Sequence, residues 1–265
     1  MRIPILIAAR NEASWIGRTL DSLPRDGVEP IVIPNGCTDN TAEIAESFGA
    51  TVLNCPAEGK MQALQAGIRY LGKEAIEPFI TLDADARVLF PSRWAGRLLR
   101  ERARVDNDSS AVAIGPTLYR GKGFGSVVRT ARHFYVQHRD HYQNSRGYYC
   151  GRNMLIHPVR ADVVEGLLAL GPLWPGEDRA IKDVIVNHGG NAFKSVNLLA
   201  AVASDGTRLP GLGILLGPDG RRNSHTQLIA SYLAEAPPGS MPYEPSLRAQ
   251  LPRQSTAELT YPAKN

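Results

Sequence analysis

The sequence predicts an α/β fold: a mostly parallel central sheet with helices packed on its faces. Three observations carry the prediction. Short apolar runs alternate with helix-period stripes through the first hundred residues. The order is strand, helix, strand, helix, as in units that build parallel sheets. The runs end in polar clusters, which is where such sheets bind ligands, beyond the carboxyl ends of their strands.

The elements follow in order. Ile3–Ala9 is an apolar run leading into Arg10-Asn11-Glu12. Ala13, Ile16, Leu20 and Leu23 are spaced by three, four and three, one face of a helix. Residues 30–33 form the second strand, broken by Asn35-Gly36. Asn40 with Glu43 reads as an N-cap with its partner three residues on, and Gly49 as the residue that closes that helix. Residues 51–53 make a third strand. Met61, Leu64, Ile68 and Leu71 repeat the helical stripe, closed by Gly72, and Phe79–Leu82 is a fourth strand ending on Asp83.

The second half is less regular. Residues 111–115 read as a strand, and 124–140 as a helix rich in arginine, histidine and aromatics. A strand is expected over 148–156, then a helix starting with Pro158 at its first position and running to Leu170. Residues 177–188 form another helix, ended by Gly189-Gly190. From about Asp205 the sequence is loop-like, and residues 236–253 carry five prolines, as a wrapping or poorly ordered tail does.

Composition sets outer limits. A chain of 265 residues with 43% hydrophobic content buries enough surface to fold without disulfides or metals, and is not disordered, collagenous or coiled-coil. Thirty basic against 26 acidic residues leave +4, a mild excess that suits phosphate ligands without marking a nucleic-acid binder. Cys37, Cys55 and Cys150 are odd in number and lack metal-type spacing, so they read as free thiols in a reducing compartment. The first apolar run is too short for a secretory signal, and residues 198–216 are broken by Asp205, Arg208 and Pro210, so no transmembrane segment is expected. The expected location is cytoplasmic, with peripheral membrane contact left open.

Five clusters could carry chemistry. Asp83-Ala84-Asp85 follows an apolar strand; in extended chain both carboxylates face one side, where they suit Mg²⁺ or Mn²⁺ holding a phosphate. Glu177-Asp178 opens a helix behind Trp174-Pro175-Gly176, either capping the helix or serving as a general base on a rigid element. Lys60, after Gly59, stands at a helix start, where it can meet a phosphate or a sheet-end carboxylate. Arg221-Arg222-Asn223-Ser224-His225 is a basic segment that either closes over a diphosphate or is solvated. His133, His138 and His141 do not share one helix face, which argues against zinc; the arginines and aromatics around them could stack sugars or bind nucleic acid.

Taken in order, these clusters resemble family 2 glycosyltransferases, which adopt the Rossmann-like GT-A fold. The resemblance covers residues 3–186. It rests on Pro4 with Ala9-Arg10-Asn11-Glu12, Asn35 to Thr41, Gly59-Lys60 with Ala63, Asp83-Ala84-Asp85, Gly151-Arg152-Asn153 and Gly176-Glu177-Asp178. It implies that Ala8, Arg10, Glu12 and the loop Asn35, Gly36 to Asp39 hold the nucleoside of a nucleotide-sugar. Asp83, beside Ala84, would touch the ribose and Asp85 the metal ion, Mn²⁺ or Mg²⁺, with Asp83 and His225 as further candidate ligands. Lys60, Arg221 and Arg222 would meet the diphosphate, Gly151, Arg152 and Asn153 would border donor sugar and acceptor, and Asp178 would be the catalytic base with Glu177 beside it. UDP is the first expectation for the donor, with GDP or dTDP open, because Pro34 and Asn35 stand where the family commonly has two aspartates. The expected division is a nucleotide-sugar-binding half over 1–105, an acceptor and catalytic half of the same domain over 106–205, and a tail over 206–265.

Three rivals can be weighed. A nucleotidyltransferase shares the sheet and the metal carboxylates, but usually wants a glycine-rich basic loop where this chain has Ala8-Ala9-Arg10-Asn11-Glu12. A dehydrogenase is disfavoured because no Gly-x-Gly-x-x-Gly follows a strand. A non-enzymatic nucleic-acid-binding module would show salt-steep binding and need no sugar donor.

Overall fold

The computed structural model describes residues 2–104, 106–119, 127, 130–131, 152–173, 176–195 and 197–204. The strands are β1 (Ile3–Ala9), β2 (Val28–Pro34), β3 (Thr51–Val52), β4 (Phe79–Leu82), β5 (Ala86–Val88), β6 (Ala111–Ile114), β7 (Thr117–Tyr119), β8 (Asn153–His157), β9 (Asn191–Lys194) and β10 (Val202–Ser204). The helices are α1 (Ile16–Asp21), α2 (Thr41–Ser47), α3 (Lys60–Leu71), α4 (Pro91–Arg102), α5 (Ala161–Leu168) and α6 (Glu177–Asn187).

Seven strands form the main sheet in the order β3-β2-β1-β4-β8-β6-β9. β8 runs antiparallel to both neighbours, β4 and β6, and the other pairings are parallel. A second sheet, β5-β10-β7, stands beside it. Alternation along β1 shows how the sequence makes two core layers. Leu6 faces a layer with Met61, Leu64 and Ile68 of α3, Val163 of α5 and Ile181 of α6. Ile5 and Ile7 face the other, with Ile16 of α1, Ala45 of α2 and Trp94 and Leu98 of α4.

The predicted elements of the first half are present, and along the whole chain there are three corrections. Asn40 makes no side-chain capping bond; the Asp39 carboxylate takes the Thr41 N–H instead. The helix expected from Pro158 begins at Ala161, because Val159 has φ +65°, which no right-handed helical turn allows; its N–H bonds the Ile76 carbonyl. β5, α4, β7, β9 and β10 were not predicted. The helix expected over 124–140, the tail and Cys150 lie outside the described residues, whereas Cys37 and Cys55 are free thiols. Among the described residues no helix is long and apolar enough to cross a membrane.

β8 matters most for the site, because antiparallel pairing places Asn153, its first residue, beside Leu82, the last of β4. Asn153 is fully buried, donating to the Ala200 carbonyl (2.7 Å) and accepting from Trp94 Nε1 (3.0 Å). Gly115 is packed against it: a Cβ there would sit 2.2 Å from Asn153 Nδ2 and 2.4 Å from the Ala200 oxygen. Gly115→Ala is therefore expected to destabilise the chain by about 3 kcal/mol, measured by denaturant unfolding, since overpacking adds to a broken buried hydrogen bond.

Candidate active site

The floor of the site is the turn that follows β4. The Ala86 N–H closes it on the Asp83 carbonyl (3.0 Å), and the Asp83 N–H continues the ladder to the Arg152 carbonyl (3.1 Å). Asp83 and Asp85 are thus brought together by a turn rather than by the extended alternation expected. Both meet one guanidinium. Arg152 NH1 lies 3.1 Å from each Asp85 oxygen and 3.5 Å from Asp83 Oδ2. Ser204, the last residue of β10, accepts from Arg152 NH1 (2.8 Å) and donates to Asp85 Oδ2 (3.3 Å).

Lys60 joins this floor to the start of α6. Its position follows from Gly59, which takes φ +123° and donates its N–H to Asn35 Oδ1 (3.2 Å), setting the start of α3 against the end of β2. Lys60 Nζ then lies 2.9 Å from Asp83 Oδ1, 3.3 Å from Asp178 Oδ1 and 3.7 Å from Glu177 Oε1. Asp178 and Glu177 open α6 behind Gly176, whose φ of +115° turns the chain into the helix. Four carboxylates therefore surround two cations.

Burial alone would lower the Lys60 pKa, but Asp178, Asp83 and Glu177 together raise it well above the usual lysine value. Burial also works against the Asp83 carboxylate, and Lys60 and Arg152 overcome it, so its pKa is lowered. Glu177 goes the other way: burial, with the charge of Asp178, lifts its pKa from 4.5 to about 7 against the pull of Lys60. A carboxyl with a raised folded-state pKa binds its proton more tightly folded than unfolded. Its contribution to stability is lost as pH rises from about 4.5 to about 7. Glu177→Gln, which keeps an acceptor for the Gly176 N–H (3.0 Å), is expected to be about 1–3 kcal/mol more stable than wild type at pH 8 and to converge with it near pH 4.5 in metal-free unfolding experiments.

The loops after β1 and β2 are zipped together by hydrogen bonds. Asn11 Oδ1 accepts from the Thr38 N–H (2.8 Å), and Thr41 Oγ1 accepts from the Glu12 N–H (2.9 Å). Asp39 accepts from the Ala13 N–H (3.1 Å), the Thr41 N–H and the Thr41 hydroxyl; burial opposes its charge, and these bonds outweigh that to lower its pKa. Asn11 itself has φ +52°, a conformation asparagine tolerates. Arg10 reaches across to Glu58 (2.7 Å), both partly exposed at the rim. Gly36, at φ +62°, passes so close to Glu58 that a Cβ there would lie 2.7 Å from its Cγ.

The sequence-chosen residues therefore separate by place. Lys60, Asp83, Asp85, Arg152, Glu177 and Asp178 converge on one ion-pair network. Arg10, Glu12, Gly36 and Asp39 line or brace the adjoining loops, with Ala8 at the end of β1. Three candidates have their polar groups committed to the scaffold: the Asn35 side chain to the Ala9 carbonyl and the Gly59 N–H, the Asn153 amide to Trp94 and Ala200, and the Ala84 carbonyl to the Thr19 hydroxyl. Gly151, Arg221, Arg222 and His225 lie outside the described residues. Sequence reasoning missed Ser204 and Glu58. Ser204 had a readable signal, a polar residue ending the apolar run 200–203, the same pattern as Leu82 into Asp83.

Among the described residues no cluster of three or more His, Cys, Asp or Glu side chains forms a metal nest. The donor set still fits a hard divalent cation. Mg²⁺ and Mn²⁺ take one or two carboxylates and complete their shells with water and phosphate. Asp83 and Asp85 could supply the two carboxylates, and with all four acids ionised the network carries a net charge of −2, four carboxylates against Lys60 and Arg152.

Comparison with known proteins bears on the fold and the family. A *Staphylococcus aureus* 4,4'-diaponeurosporenoate glycosyltransferase is 30% identical over 122 residues, 43% of this chain; the match spans 31% of that protein. Glucosyl-3-phosphoglycerate synthase from *Mycobacterium tuberculosis*, solved with Mn²⁺, UDP and phosphoglyceric acid, superposes with a TM-score of 0.50 at 20% identity, covering 88% of this chain and 78% of that one. TarS 1-349 of *S. aureus*, solved with UDP, gives 0.52 at 14% identity over 74% and 58%. Both share the fold. The model of glycosyl transferase family 2 matches residues 5–159, which is 155 of 265 residues and more than half of the chain. This chain belongs to glycosyl transferase family 2.

Proposed function

We propose that the protein transfers a sugar from a nucleoside-diphosphate donor to an acceptor hydroxyl, with inversion at the anomeric carbon and with help from a divalent metal ion. One observation carries the reading. A single half-buried lysine ties the carboxylate that follows β4 to the two acids that open α6, while Arg152 spans Asp83 and Asp85. Donor-side and acceptor-side groups thus meet across the carboxyl edge of the sheet.

The chemistry follows from the residues. Residues 1–105 would hold the nucleotide, the zipped loops after β1 and β2 forming its rim. Asp83 and Asp85 would hold the metal ion, which when bound stabilises the negative charge of the leaving diphosphate. Asp178 accepts the proton of the acceptor hydroxyl as its oxygen attacks the anomeric carbon; the bond to the diphosphate breaks, and its electron pair leaves with the phosphate. One base acting opposite the leaving group means a single displacement, hence inversion. Lys60 keeps the Asp178 carboxylate pointed into the cleft. Arg152, whose planar fork suits phosphate oxygens, can pass from the aspartates to the diphosphate when the donor enters.

UDP is the first donor to try, with GDP and dTDP next; two proteins of the same fold were solved with UDP, one of them also with Mn²⁺. Calorimetry with UDP, in Mn²⁺ or in EDTA, tests the proposal. Affinity is expected to fall in EDTA by at least tenfold, and Asp85→Ala is expected to lose the metal-dependent part. Equal UDP affinity in Asp85→Ala and wild type with Mn²⁺ present removes Asp85 as the ligand.

A further inference from the structure

We propose that the outer face of α4 is a docking surface for an anionic phospholipid membrane. The helix packs inward through Trp94 and Leu98, both fully buried. Outward, Phe90 at its N-terminal edge, then Arg93, Arg97 and Arg100, recur at intervals of three, four and three, which aligns them in one stripe. Phe90 is 43% exposed, Arg93 and Arg100 are exposed and Arg97 is half-buried.

The stripe has no internal explanation. Three arginines three and four residues apart repel one another and destabilise a helix unless acids intervene. The helix has one acid, Glu101, and it turns away, accepting from the Ser195 hydroxyl (2.9 Å) and pairing with Arg104 (3.0 Å). Among the described residues none of Arg93, Arg97 and Arg100 has an ion-pair partner. Instead they line a cavity of about 200 Å³, together with Ser92 and Gly96. Guanidinium forks match phosphate oxygens, so the complementary ligand carries phosphate groups.

Geometry favours a lipid surface over one soluble phosphate. Seven residues of helix separate Arg93 from Arg100, about 10 Å, a span that serves several headgroups rather than one. The exposed Phe90 at one end is the kind of aromatic that seats at a membrane interface beside basic residues.

The experiment is co-sedimentation of the full chain with vesicles of phosphatidylcholine alone or with about one-third phosphatidylglycerol, at low and high salt. Wild type is expected to bind the anionic vesicles, to ignore the neutral ones, and to be released by salt. Each arginine near an anionic surface strengthens binding about fivefold, so the combined Arg93→Gln, Arg97→Gln and Arg100→Gln variant is expected to bind about a hundredfold more weakly. Gly96→Glu places a negative charge in the cavity where an added Cβ meets nothing within 4 Å, and is expected to weaken binding while unfolding like wild type. Pyrophosphate titration is the second arm. Tight pyrophosphate binding that the triple glutamine variant abolishes, without vesicle binding, would make this a soluble-phosphate site and overturn membrane docking. Equal binding to both vesicle types, or no loss in either variant, overturns it too.

Discussion

Asp178→Asn is expected to lower sugar transfer by about 10²–10⁴-fold, the usual contribution of a positioned general base. Nucleotide affinity should stay within a few-fold of wild type. The substitution is nearly isosteric and keeps an oxygen within reach of Lys60 Nζ, now 3.3 Å from Asp178 Oδ1, so the ion-pair network loses one charge and keeps its shape. The split between turnover and binding is the point, because a helix-capping acid would move neither. Glu177→Gln, read in the same kinetic assay, is expected to be milder, since Glu177 sits behind the cleft, 8% exposed, with Oε2 turned to the Gly176 N–H. Near-wild-type turnover in Asp178→Asn together with an inactive Glu177→Gln exchanges the two roles.

Lys60→Met is expected to be the most destabilising single change at the site, by about 3 kcal/mol at pH 8. It strips the ammonium from Asp83, Asp178 and Glu177 and leaves three largely buried carboxylates facing one another. The pKa values of Asp83 and Glu177, which Lys60 holds down, then rise, and carboxylates with raised folded-state pKa cost more stability as pH increases. The deficit in thermal unfolding should therefore shrink towards pH 5 and widen towards pH 8. Lys60→Arg, which restores the charge, should recover part of it. A Lys60→Met variant that melts with wild type at pH 8 would mean that the carboxylates are hydrated rather than held by this lysine.

Much of this is legible in the sequence. The apolar runs of β1, β2 and β4 and the stripe of α3 follow from local period, and the placement of polar clusters at strand ends follows from the parallel sheet they imply. The convergence of Lys60, Asp83, Asp85 and Asp178 was legible as separate polar positions in order along the chain, though not as one network. What was hidden is non-local or short. β5, β7 and β10 have three residues each, too few to show a period, and they hold together only by pairing with one another. α4 offers just Trp94 and Leu98 as fully buried apolar anchors among arginines, so its stripe is faint. Sequence also cannot say which way a polar group is spent. The sequence offers Asn35 and Asn153 as ligand contacts, and in the structure both side chains bond within the scaffold next to Gly59 and Arg152.

Release of nucleoside diphosphate from a panel of UDP-, GDP- and dTDP-sugars, with Mn²⁺ or with EDTA, tests the central claim most directly. A site that joins metal-binding carboxylates to a base through Lys60 should slowly hydrolyse its donor even without an acceptor. The expected result is nucleoside diphosphate release from at least one donor, UDP-sugars first, suppressed by EDTA and by Asp85→Ala. No release from any donor with Mn²⁺ present, together with no binding of the corresponding nucleoside diphosphates, would contradict the account.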